Sequence, residues 1–82
     1  MHPEMIKARL RMAGYTLADV ARQEKVGAGA VRLALRQPSL SGERAIAKVM
    51  GKPLHELWPD RWTKDGKRIR PRYRYLYEEG AA

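Results

Sequence analysis

The chain has no cysteine. That excludes a disulfide framework and every cysteine zinc site, and it accords with a reducing cytoplasm. Acidic residues are scarce: nine Asp and Glu stand against seventeen Lys and Arg, for a net charge of +8. Such an imbalance favours a polyanionic partner, and nucleic acid is the commonest one. Long apolar runs are missing too. Charges interrupt the opening stretch Met1–Leu10, so neither a secretory signal nor a membrane span is expected, and the expected location is the cytoplasm, on the nucleoid. No internal repeat is visible. Ser39 and Ser41 have no base or acid arranged around them, so enzyme activity is not expected and no cofactor is called for. His2 and His55 lie far apart without cysteine company, which argues for capping or surface roles and against a metal site. No small-molecule pocket is evident. With 82 residues the chain suits one small domain with a modest core.

What is present is a succession of short helical patterns. Pro3 suits a first helical position, Glu4 suits the positive end of the helix dipole, and Ile6, Leu10 and Ala13 form an inward stripe that Gly14 terminates. Thr16 and Asp19 are spaced as a box-like cap for a second helix, with Tyr15 and Val20 at the staple positions and Leu17, Val20 and Ala21 inward. A turn is expected at Glu24–Val26. A third helix follows over Ala28–Arg36, led by Gly27 and ended by Pro38. Ser41 is expected to cap a fourth helix that buries Ala45, Ile46, Val49 and Met50 and stops at Gly51. Pro53 opens a short fifth helix with Leu54, Leu57 and Trp58, closed by Pro59. Trp58 is expected in the core and Trp62 half-buried. The four methionines read as core filler. The fold class is therefore all-α, a compact five-helix bundle.

The second and third patterns together read as a helix-turn-helix. Such a pair must cross steeply, so that the second helix protrudes into a DNA major groove. Ala21 supplies the small residue at the crossing, Val26 plugs the turn and Val31 anchors the third helix. Lys25 stands where the turn is usually left-handed, at a strain of about 1 kcal/mol. The outward face of the third helix begins with Ala28, Gly29 and Ala30, none able to hydrogen-bond a base edge through its side chain. The candidate base-contacting positions are Ala28, Gly29, Arg32, Leu33 and Arg36. Arg32 suits guanine O6 and N7, or equally a phosphate, and Leu33 suits a thymine methyl. Thr16, Arg22 and Lys25 are candidate contacts to the DNA backbone.

After Trp62 the composition changes. Asp65-Gly66 signals a turn. Arg68, Arg70, Arg72 and Arg74 then alternate with Ile69, Pro71, Tyr73, Tyr75 and Tyr77. A period of two describes an extended segment with a basic and an aromatic face. The expected organisation is thus a helix-turn-helix domain over 1–62 and a basic, aromatic C-terminal arm over 63–82. Lys64, Lys67 and those four arginines are the arm's candidate phosphate contacts.

The helix-turn-helix, then Gly42–Gly51, then Leu54-His-Glu-Leu-Trp-Pro-Asp-Arg-Trp62 resembles the Ner/Nlp family of small transcriptional regulators of transposable phages and their bacterial relatives. The resemblance covers roughly residues 2–62 and is most specific at Glu56–Arg61. It implies a λ-repressor-like fold, binding to double-stranded operator DNA, repression, and two subunits on a two-fold related site. Lys25 and the bare leading face of the third helix depart from the family's usual pattern. Two other readings compete: an RNA-binding or nucleoid protein of low sequence preference, and an antitoxin-like interaction module.

Overall fold

A computed structural model describes residues 1–69. They form five α-helices: α1 (Pro3–Met12), α2 (Leu17–Glu24), α3 (Ala28–Ala34), α4 (Leu40–Met50) and α5 (Leu54–Leu57). Most of the boundaries follow from local chemistry. The imidazole of His2 accepts from the Glu4 N–H at 3.1 Å and caps α1. At the other end Gly14 takes φ +89°, the Tyr15 N–H donates to the Leu10 carbonyl and the Gly14 N–H to that of Arg11. These two bonds make a Schellman stop, which needs a residue at ease with positive φ. The Thr16–Asp19 capping box is closed in both directions, at 2.9 and 3.0 Å. Gly51 ends α4 in the left-handed region.

Two boundaries differ from expectation. Helix α3 stops at Ala34, because its last turn tightens: Leu35 and Arg36 donate to carbonyls only three residues back. Arg36 therefore sits on the turn that follows. Helix α4 begins after Ser39, two residues before the start that a Ser41 cap would give. The Ser39 hydroxyl makes no cap. Instead the Glu43 carboxylate reaches back and accepts from the Ser39 N–H at 2.7 Å.

The core runs through every helix. Ile6, Leu10, Val20, Val31, Ile46 and Leu57 are all but inaccessible, and each such side chain contributes about 1.5–3 kcal/mol through its removal from water. Helix α4 is the central strut, in contact with α3, α2 and α5. At the α3–α4 crossing the contact is backbone to backbone. A Cβ on Gly42 would lie 2.1 Å from the Ala30 carbonyl oxygen, so only glycine fits. On the outside of α3, a Cβ on Gly29 would meet nothing.

Packing continues past Trp62. Trp62 and Arg68 pair in an isolated antiparallel bridge, the Thr63 N–H donates to the Lys67 carbonyl at 2.8 Å, and the Ile69 N–H donates to that of Arg61 at 2.7 Å. The Asp65-Gly66 turn, with Gly66 at φ +86°, makes this reversal. Residues 64–69 thus fold back as a tight loop rather than extend as the start of an arm. Ile69 and Trp62 are both buried, Trp62 more deeply than expected. The arm positions Arg70, Arg72, Tyr73, Arg74 and Tyr75 lie outside the described residues.

Candidate DNA interface

The pair α2–α3 is assembled from within. Ala21 is buried at the crossing, Val26 is half-buried in the turn, and Val31 is inaccessible beneath α3. Lys25 adopts φ 58°, ψ 42°, the left-handed conformation expected at this position. Its N–H donates to Arg22 and that of Val26 to Ala21, so the last carbonyls of α2 are satisfied and the chain reverses within two residues. The lysine side chain points to solvent.

With the inner side of α3 fixed, its outer side follows. Gly29, Arg32 and Arg36 are exposed, while Ala28 and Leu33 are half-buried. Among the described residues no carboxylate lies within ion-pair distance of Arg32 or Arg36. Two exposed guanidinium groups beside a stretch with no bulk form a surface that can approach a nucleic-acid groove closely. Around it, Thr16 and Arg22 are already engaged. The Thr16 hydroxyl accepts from the Asp19 N–H, and Arg22 pairs with the Asp19 carboxylate. The bond from the Thr16 backbone N–H, followed by that from its hydroxyl, holds the Asp19 carboxyl below the usual carboxylate range. Lys64 and Lys67 are exposed on the 64–69 loop. That loop is braced by Thr63, whose hydroxyl bonds Asp65 and accepts from the Lys67 N–H, and the bond from Thr63 depresses the Asp65 carboxyl in turn.

Arg68 does not join the outward set. Its guanidinium donates to Glu43 at 3.0 Å and lies over the Trp62 ring, 5.2 Å from the centroid. The fold-back of the loop reverses the direction that simple alternation assigns to it. Glu43 is the centre of this arrangement and has no solvent exposure. Its carboxylate accepts from the Ser39 N–H, Arg61, the Trp62 indole N–H at 2.7 Å, and Arg68. A buried carboxylate is tolerable only when so many donors face it. Arg61 in turn donates to the Ala34 carbonyl at 2.6 Å and stacks on Trp58. It thereby ties the end of α3 to α4 and to the segment after α5.

Sequence reasoning missed Glu43. The signal was there: a lone acid between Gly42 and Ala45–Ile46, on the face of α4 that turns inward. A charge on an apolar stripe requires a partner, and Arg61 and Trp62 lie in the nearby apolar-aromatic segment.

Comparison with known proteins agrees with this geometry. The winged helix-turn-helix DNA-binding family model matches residues 1–74, and the chain belongs to that family. The chain is also similar to sugar fermentation stimulation protein B of Escherichia coli K12 and of Shigella flexneri, with 34% identity over 61 residues in each case. The match takes in 74% of this chain and 66% of each relative, just under two thirds of their length. No solved structure matches.

Proposed function

We propose that this winged helix-turn-helix protein is a sequence-specific regulator of transcription that binds double-stranded DNA with α3 in the major groove. The observation that carries the reading is the two-sidedness of α3 and the turn after it: Val31 and Ala34 are locked inward, and Arg32 and Arg36 are exposed with no carboxylate partner among the described residues. In this reading Arg32 bonds a guanine edge, Leu33 lies against a thymine methyl, and Ala28 and Gly29 let the helix backbone come close. Arg36, just beyond the helix, reaches the neighbouring base or its phosphate. Lys25, Arg22 and Thr16 contact the backbone on the α2 side. Lys64 and Lys67 do so from the loop after α5, which takes the place of a short wing. Phosphate contacts position the protein and carry no sequence information themselves.

The closer kinship we infer is with the Ner/Nlp regulators, supported by the Glu56–Arg61 segment that forms the end of α5 and the Arg61 clamp. On that reading the protein acts in the cytoplasm as a repressor of phage-derived genes. Two subunits occupy one site, with recognition helices about 34 Å apart. The relatives' name speaks of stimulation, so transcription from a promoter carrying the bound site is the measurement of sign.

The test is selection of bound fragments from genomic DNA, followed by footprinting of the winners in excess competitor DNA. A protected two-fold site spanning about two turns of helix supports the reading. Protection that disappears with competitor assigns the protein to binding of low specificity. With about five to seven phosphates neutralised per subunit, log affinity falls against log salt with a slope of roughly −4 to −6. A slope near zero removes the electrostatic account.

A further inference from the structure

Helix α1 and the C-terminal end of α4 leave an open groove of about 620 Å³ between them. Its walls are apolar, with Met5, Met12, Val49 and Met50 the larger side chains. Met12 is 86% exposed and Met5 is half exposed, although methionines are ordinarily spent inside a core. The groove's charged lining is Arg9 and Lys52, with no carboxylate among its lining residues. Lys52 pairs with Glu56 outside the groove, and no carboxylate among the described residues reaches Arg9. The groove also lies away from the DNA-facing helix. Helix α3 crosses α4 at Gly42, and Val49 is seven residues further on, about 10 Å along the axis.

We propose that this groove docks an acidic, amphipathic helical segment of a second protein. Flexible methionine side chains mould themselves to a variety of apolar partners, and an amphipathic helix offers such partners at i, i+3, i+4 and i+7. The charge of the lining selects the occupant. A phosphate backbone has no use for an apolar floor. A second copy of this chain would bring another molecule of net charge +8 to a groove whose Arg9 has no carboxylate partner among the described residues. A helix with leucines on one face and glutamates beside them satisfies both the floor and the lining. Because the groove and α3 occupy different ends of α4, the protein holds DNA and this partner together.

The probe is a sixteen-residue peptide with leucines at helical spacing and glutamates elsewhere. It is titrated into the full chain carrying 13C-labelled methionine methyl groups. The expected result is a saturable shift of the Met5, Met12 and Met50 methyls, unchanged when a bound duplex is present. Met12→Glu and Arg9→Glu, both at exposed positions, each weaken the peptide about tenfold or more, and Met12→Glu leaves DNA affinity as it was. Three results overturn the proposal. The first is equal binding of a scrambled peptide or of one with lysine for glutamate. The second is methyl shifts that follow protein concentration without peptide, together with a doubled mass in sedimentation, which gives the groove to a second copy. The third is a shift of the same methyls in the free chain on Glu78→Lys/Glu79→Lys substitution, which gives it to the chain's own C-terminal residues.

Discussion

Arg32 and Arg36 stand on one side of the α3 region, and Arg61 and Arg68 on the other, and the two pairs are put to opposite use. The first pair extends into solvent with no protein partner among the described residues. The second pair is turned in, bonded to one buried carboxylate and laid over tryptophan rings. All four are the same side chain, in a chain rich in positive charge. Position relative to Glu43 separates them. A cation next to a desolvated anion becomes part of the framework, and a cation on a bare helix face stays available to a polyanion.

Glu43 is where the difference between the two arginine pairs depends on one side chain. Replacing Glu43 by Ala leaves Arg61, Arg68 and the Trp62 indole without their shared acceptor, and breaking a buried pair in this way costs about 3–5 kcal/mol. A domain of this size has little more than that in total. Urea unfolding of Glu43→Ala should show the loss, and a change under about 1 kcal/mol would mean that the cluster is ornamental to stability.

On the outward side, Arg32→Ala should leave the unfolding midpoint in place. It should weaken binding to the preferred site by about 1–3 kcal/mol and relax discrimination at one base pair. Uniform weakening over all sequences reassigns Arg32 to phosphate. One substitution is thus read by urea and the other by DNA.

Smaller effects come from the frame of the helix pair. Thr16→Ala removes the cap of α2 and should lower stability by about 1 kcal/mol. The acid partner in that cap adds a pH signature. The Asp19 carboxyl is depressed in the folded chain, so its contribution is complete above the unfolded value of about 3.9 and is lost as pH falls below it. The difference between the native chain and Asp19→Asn should therefore narrow on acidification from neutrality, and a difference that stays constant to pH 2 would rule out the carboxylate as its source.

Lys25→Gly is expected to be the mildest. Relief of the left-handed backbone contributes about 1 kcal/mol, and the greater freedom of glycine in the unfolded chain offsets roughly 0.5–1 of it. The net change should lie within about half a kcal/mol, with DNA specificity intact. Calorimetry and the selected binding site together check this, and a loss above 1 kcal/mol would require contacts from the lysine stem.

What could be read from the chain alone was local. The Thr16–Asp19 box, the stop at Gly14, the left-handed Lys25 and the burial of Val20 and Val31 depend on residues a few positions apart, and the structure shows each of them. The misses were made across distance. Ser41 looked like the natural cap for α4, and Glu43 reached back to Ser39 instead. Arg68 looked outward by alternation, but its partner lies 25 residues earlier. Trp62 was placed half in water, and the acceptor that lets it bury its indole N–H, Glu43, lies 19 residues earlier. Period and capping rules see neighbours along the chain, whereas a buried carboxylate draws its donors from wherever the fold brings them. The outer face of α3 is an intermediate case. Its residues were legible, but the absence of partners around Arg32 and Arg36 required the fold.

The two glycines at α3 divide that helix into a fixed side and an editable one. Gly42 presses on the Ala30 backbone, so the helix is seated here by main chain against main chain, beside the buried Val31 and Ala34. Gly29 faces open space, and a Cβ there meets no obstacle. The molecule is therefore laid out like a type holder, in which letters can be exchanged without resetting the frame. Glutamine at position 29 would add an adenine-reading group to a face that now has none. At position 29 it would also relieve part of the roughly 1 kcal/mol that a glycine costs inside a helix.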